Sequence, residues 1–317
     1  MSIPPLKLGI IGLDTSHVTE FTAILNDPQH PHHIEGGTIQ VAYSGVPSSD
    51  FELSYGRIQG FTDELVRDYQ VRLAHSEEEV AEKCDAILLE SVDARVHLEQ
   101  FKRIASFGKP VFVDKPLALS TREATEMFEL AAKYQVPLMS CSSLRFGEAL
   151  SEQLRGMEQG EALSEQLQGI AQGEAIIGAD CYGPMAIEPT QPGLFWYGVH
   201  MVEMLYRVLG KGCVSVKTFT NDDFDFVIGT WADGRIGTVR GNRKGNYKFG
   251  ALVHGDKSTR YANLSDHPKP FYVSMLEKVM HLFQTGESVI EPGETLEIIR
   301  FIECANESRE TGAPVRL

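Results

Sequence analysis

Long apolar runs are missing from this 317-residue chain. No stretch approaches the roughly 18 residues that cross a bilayer, so no membrane helix is expected. The opening Met1-Ser2-Ile3-Pro4-Pro5 lacks the charged and apolar regions of a secretory leader. Cysteine is scarce too: Cys84, Cys141, Cys181, Cys213 and Cys304 are odd in number, scattered and never in a C-x-x-C pair. That excludes a disulfide framework and a paired-cysteine zinc site, and fits reduced thiols in a cytoplasm. Positive charge is short, with 29 Lys and Arg against 44 Asp and Glu, a net charge of −15 and a pI near 5.1. A nucleic-acid surface needs clustered cations and is excluded, whereas a small anion needs only one or two. Neither a G-x-S-x-G elbow nor a G-K-[ST] loop occurs.

What is present is a chain with 42% hydrophobic residues, enough for two cores. The first half alternates strands with helices. Leu8–Gly12, Ile39–Ser44, Gln70–Ala74, Asp85–Leu89, Pro110–Val113 and Val136–Ser140 read as strands. Helices are expected over Val18–Leu25, around Asp63–Tyr69, after Ser76 and over Val96–Ser106 as far as Gly108. Ser76-Glu77-Glu78-Glu79 and Ser120-Thr121-Arg122-Glu123 have capping-box spacing, the second opening a helix to about Lys133. Continuous apolar strands separated by helices imply a doubly wound parallel sheet of Rossmann type over residues 1–143.

From 144 to 317 the rhythm changes to an α+β domain with a large, mainly antiparallel open sheet. Strands are expected at Val214–Thr218, Phe224–Trp231 and Ile236–Arg240, with a hairpin turn at Asp233-Gly234. Helices are expected at Val199–Leu209, Phe271–Thr285 and Glu294–Glu307. A tandem duplication, GEALSEQLRGMEQ then GEALSEQLQGIAQ, fills 147–172. Thirteen residues do not return to the same helical face, which predicts a break near Gly156 to Gly160 and a surface insertion.

Four places could carry chemistry. Gly9-Ile10-Ile11-Gly12 opens like a dinucleotide-binding βαβ unit. Of the G-x-G-x-x-G glycines, however, only Gly12 stands, followed by Asp14 and His17. Asp14, Thr15 and Ser16 are good N-cap residues, so the turn is either a phosphate site or a self-capped strand–helix junction. The second strand ends at Ser44 without the acidic residue that holds the NAD ribose, and no cation precedes Arg57 for an NADP phosphate. Asp114-Lys115-Pro116 follows the PVFV strand, where a lysine can donate to a substrate oxygen. His200 opens a helix, with Glu203 one turn on, as a general acid/base would. The His30-Pro31-His32-His33 tract lacks a carboxylate or cysteine at ligand spacing, so no metal is expected.

KLGIIGLDTSH, FGKPVFVDKPLALS (107–120), Arg145-Phe146 and YGVHMVEMLYRVLG (197–210) together resemble the glucose–fructose oxidoreductase / inositol dehydrogenase family (Gfo/Idh/MocA). The resemblance implies an NAD(P)-binding Rossmann domain, then a substrate domain whose sheet forms a homodimer or homotetramer. It implies reversible hydride transfer on a sugar, cyclitol or related polyol. Lys115 and His200 take the catalytic positions. Cofactor contacts fall on Gly9, Gly12, Leu13, Asp14, Thr15, Ser16, His17, Ser44, His97, Asp114 and Lys115. Substrate contacts fall on Lys115, Arg145, Trp196, His200 and Glu203. The family's D-x-G-x-H aspartate is Trp196 here, and its T-P-N-x-x-H stretch keeps only His97. Those departures support a second reading, a non-redox sugar- or nucleotide-binding protein on the same fold. A metal-dependent hydrolase or lyase using His17, His97 and the 30–33 tract is a third.

Overall fold

The computed structural model describes residues 4–159 and 173–317. By contact, the chain divides into two compact units: Met1–Cys141 with Met275–Leu296, and Ser142–Ser274 with Glu297–Leu317.

The first unit is built on six parallel strands: β1 (Leu6–Ile11), β2 (Gly37–Tyr43), β3 (Arg72–Leu73), β4 (Ala86–Leu89), β5 (Val111–Val113) and β6 (Leu138–Ser140). Their spatial order is β3-β2-β1-β4-β5-β6, the Rossmann order, with its switch point between β1 and β4. Every residue of β4 and β5 is buried, as continuous apolar strands of a covered sheet must be. Between the strands run α1 (His17–Asn26), α2 (Glu52–Tyr55), α3 (Ile58–Tyr69), α4 (Glu77–Lys83), α5 (His97–Ile104) and α6 (Thr121–Tyr134). Both serines cap their helices: Ser76 accepts from the Glu79 amide and Ser120 from the Glu123 amide, each at 3.2 Å. After α5 the chain turns at Gly108, at φ +65°, as the glycine stop predicts.

The second unit begins with α7 (Glu148–Gln159), which passes through Gly156 without a break. Helix propensity carries it across a glycine that costs only about 1 kcal/mol there. Gly160, the second copy of the duplication and its expected surface position lie outside the described residues. Then come β7 (Ile176–Pro184), α8 (Gly198–Leu209), β8 (Cys213–Thr220), β9 (Phe224–Trp231), β10 (Ile236–Asn242), β11 (Gly250–Gly255) and β12 (Thr259–Asn263). The chain then runs through α9 (Phe271–Thr285) and α10 (Pro292–Thr311), of which Met275–Leu296 belongs to the first unit, before β13 (Val315–Arg316) ends it. The sheet order is β12-β11-β7-β10-β9-β8-β13, antiparallel throughout except for β7 beside β10. The hairpin at Asp233-Gly234 joins β9 to β10, with Gly234 at φ +92°. Helix α8 lies tight on this sheet, because a Cβ at Gly237 would sit 2.6 Å from Leu205. Among the described residues no helix is long and apolar enough to cross a membrane.

Candidate functional site

In the first unit the chain leaves β1 at the switch point through a turn that only glycine can make. Gly12 has φ +85°, and a Cβ there would lie 2.2 Å from the Ser91 hydroxyl and 2.5 Å from its amide nitrogen. Self-capping is partial: Ser16 makes no side-chain cap to α1, while the Thr15 hydroxyl accepts from the His17 amide at 3.5 Å. The Asp14 carboxylate turns elsewhere, accepting from the Ser54 hydroxyl at 2.5 Å and the Val92 amide at 2.8 Å. Arg57 donates to the Asp14 carbonyl at 2.7 Å. Burial raises the Asp14 carboxyl, and these donors pull it partly back. Asp14 is thus a staple between the turn, α2 and the loop after β4.

His17 is the first residue of α1. Its Nδ1 lies 2.7 Å from Asp114 Oδ2 and 3.8 Å from Glu90 Oε2, and its ring stacks on Phe21. Burial works against the imidazolium, but the Asp114 and Glu90 carboxylates outweigh it and raise His17 to about 9. Glu90 follows β4 and Asp114 follows β5, their amides continuing the sheet to the Ile11 and Leu89 carbonyls. Burial and the Asp114 charge raise Glu90. Asp114 is held low, its own burial being overcome by His17 and Lys115. Lys115, half-buried at the same strand edge, is lowered mainly by burial.

Several residues expected to meet a cofactor have inward-facing work instead. Leu13 is wholly buried and its amide bonds the Ser44 carbonyl at 3.0 Å, so its side chain belongs to the core. Gly9 makes room for α4, since a Cβ there would meet Val80 at 2.4 Å. His97 is fully buried, with Nε2 2.7 Å from the Ser91 carbonyl and Nδ1 3.0 Å from that of Pro116. It ties the loop after β4 to the Lys115 turn. Thr15 is buried and Ser44 half-buried, while Ser16 is exposed.

Sequence reasoning missed two features of this edge. Arg95 forks onto Asp50 at 2.7 and 2.8 Å and onto Asp93 at 2.7 to 3.0 Å, and Ser48 donates to Asp93. This network ties the loop after β2 to the loop after β4 and occupies the acid nearest the ribose position. Glu90 was the other omission, although a glutamate ending the apolar run DAILLE was signal enough.

In the second unit His200 lies on α8 between Tyr197 and Phe249, with edge-to-face ring separations of 5.4 and 5.6 Å. The Ser142 hydroxyl is 2.7 Å from His200 Nδ1 and also accepts from the Leu144 amide at 3.2 Å. Ser142 therefore fixes the ring in the absence of an aspartate at 196. Arg145 and Glu203 are both buried and pair at 2.9 Å. Burial raises the Glu203 carboxyl, while Arg145 and the Ser142 amide oppose the rise. Their pairing makes them a framework for α8 and the Ser142 turn. Trp196 is buried against Tyr197.

Residues 7–141 match the family described as oxidoreductases with an NAD-binding Rossmann fold, GFO_IDH_MocA. The match lies within the first unit. A curated relative, YceM of Salmonella typhimurium, is described by its name only as a candidate oxidoreductase. It is 28% identical over 147 residues, which is 46% of this chain and 42% of YceM. The match therefore spans about two fifths of that relative's length. Among solved structures, GenD2 from gentamicin A biosynthesis in complex with NAD aligns with a TM-score of 0.77 and 17% identity, over 100% of this chain and 97% of GenD2. Scyllo-inositol dehydrogenase from Lactobacillus casei, with bound NAD(H) and scyllo-inositol, aligns with a TM-score of 0.77 and 15% identity, over 99% of both chains. These likenesses show that the fold of both units is shared with those dinucleotide-bound structures. At the dinucleotide position the Gly12 turn is required by its close approach to Ser91, and α1 receives no side-chain cap from Ser16.

Proposed function

We propose that this protein is an NAD(P)-dependent oxidoreductase acting on a hydroxyl-bearing carbon of a sugar, cyclitol or related polyol. The observation that carries the reading is the placement of Lys115 directly after β5, at the sheet edge that also presents the Gly12 turn. Gly12 and the first turn of α1 would hold the diphosphate, with Asp14 turned inward toward Ser54 and Val92. The bound nicotinamide supplies hydride acceptance in oxidation and donation in reduction. Lys115 donates to the reacting oxygen. His200 takes the hydroxyl proton on Nε2 while Ser142 holds Nδ1, and returns it in the reverse direction.

A second reading, a sugar- or nucleotide-binding protein without a redox step, is favoured by the Arg95–Asp50–Asp93 network beside the ribose position. Titration with NADH and then NADPH separates the two, read through Trp196 and Trp231, the only tryptophans. The oxidoreductase reading expects saturable quenching, turnover at 340 nm with at least one polyol, and loss of turnover in a folded Lys115→Ala variant. Absence of dinucleotide binding by folded protein, or full turnover in Lys115→Ala, would overturn it. The pyridine nucleotide that saturates at lower concentration identifies the cofactor.

A further inference from the structure

Glu90 has no solvent exposure, and neither of its carboxylate oxygens has a hydrogen-bond partner among the described residues. A buried carboxylate in that condition is among the costliest groups a fold can hold, and it is ordinarily paired or coordinated. Its Oε2 lies 3.8 Å from His17 Nδ1, beyond hydrogen-bonding distance but aimed at it. His17 Nδ1 in turn lies 2.7 Å from Asp114 Oδ2. One donor atom from each residue falls within 4.8 Å of the others.

We propose that His17, Glu90 and Asp114 form a binding site for a divalent first-row transition ion of the Zn²⁺ or Mn²⁺ class. One imidazole and two carboxylates offer too few oxygens for calcium and no thiolate for a soft ion, and they suit zinc, manganese or ferrous iron. On binding, the ion displaces the His17 Nδ1 proton to solvent, leaving two carboxylates around a neutral imidazole, the charge that balances a dication. The spacing fits: a tetrahedron with legs of about 2.0 to 2.1 Å has edges of about 3.3 Å. The observed 2.7 and 3.8 Å separations bracket that value.

The donors are also anchored. The Glu90 and Asp114 amides are fixed by the sheet, and His17 is stacked on Phe21. Asp114 uses Oδ1 to accept from the Lys115 amide at 2.8 Å, which presents Oδ2 toward His17. The His17 side chain is 14% exposed, against 0% for Glu90 and 7% for Asp114, so an ion enters along His17. Three protein donors leave a coordination position for water or a substrate oxygen, beside Lys115.

The test uses the full chain, stripped with chelator and titrated with ZnCl₂ and with MnCl₂ by calorimetry, with bound metal counted by elemental analysis. The expected result is one ion per chain, a rise in melting temperature on adding metal, and binding weakened about 100-fold or more in Glu90→Gln and in His17→Gln. Replacing His30, His32 and His33 together by Ala should leave that binding unchanged. X-ray absorption of the zinc form should show nitrogen and oxygen ligands without sulfur, a signature that does not depend on any variant folding. No stoichiometric ion in wild type, binding that survives both Glu90→Gln and His17→Gln, or binding lost with the 30–33 tract would each overturn the proposal. Dinucleotide binding is measured separately and bears on neither outcome.

Discussion

The Ser142 hydroxyl lies 2.7 Å from Nδ1 of His200 and takes the place of a carboxylate orienter. A hydroxyl can fix the ring's direction, but it supplies no negative charge to an imidazolium. Ser142→Ala should therefore lower kcat by about 10- to 100-fold with little change in KM, because orientation is lost while substrate contacts remain. Steady-state kinetics on the best polyol substrate, with circular dichroism to confirm folding, checks this. Ser142→Thr, which keeps the hydroxyl, should recover most of the rate.

The buried Arg145–Glu203 pair predicts a pH-dependent cost. Arg145→Ala leaves a buried carboxylate unpaired and should destabilise the second unit by about 3–5 kcal/mol at neutral pH. Burial holds the folded Glu203 carboxyl above its ordinary 4.5, although Arg145 opposes the rise. A raised carboxyl binds its proton more tightly folded than unfolded. Its contribution is therefore fully present below about 4.5 and is lost as pH rises through the folded value. Urea unfolding of Arg145→Ala across pH 4 to 8 should show the penalty shrinking toward acid, where Glu203 becomes neutral. A penalty independent of pH would contradict this account.

Asp14 predicts a stability effect at a position where the family pattern has glycine. Asp14→Ala leaves the Val92 amide and the Ser54 hydroxyl without their acceptor and should cost about 1–3 kcal/mol. Asp14→Asn keeps an oxygen for Val92 and should cost less than Asp14→Ala. Thermal melts of the two variants, compared with wild type, decide between a stapling role and an idle side chain.

The thiols should be inert in the native state. All five cysteines are buried, and burial pushes Cys84 and Cys213 up to about 12. A rise of about three units leaves roughly a thousandfold fewer thiolates at a given pH. Ellman's reagent at pH 8 should find no fast-reacting group in native protein and five in guanidinium. A rapid native reaction would place a cysteine in a different environment.

Much of this architecture was legible because its signals are local. Phe224–Trp231 and Phe271–Thr285 have the expected bounds, and Ser76 and Ser120 cap as their spacing predicts. Strand β7 was not anticipated, since Gly178, Gly183 and Pro184 dilute a strand pattern that is set by neighbours on both sides. The candidate site was legible in part. Gly12, Lys115 and His200 stand where motif spacing put them, at the β1 turn, after β5 and on α8. The partners of those residues were not legible, because Ser142 to His200 and Asp114 to His17 are separated by 58 and 97 residues and meet only through the fold. Leu13 and His97 show the converse: a position in a motif does not say which way a side chain turns.

The return of Met275–Leu296 to the first unit sets an order of events during synthesis. Met280 packs against the start of β2, where a Cβ on Gly37 would lie 2.8 Å from its methyl carbon. Val279, Leu282 and Ile290 are buried as well. The six-strand sheet leaves the ribosome complete by Ser140, yet part of its apolar cover is translated only after about 140 further residues. At about 5–20 residues per second that is a delay on the order of 10 s. Throughout it the nascent first unit exposes surface that a chaperone, or a neighbouring chain on the same polysome, can reach first.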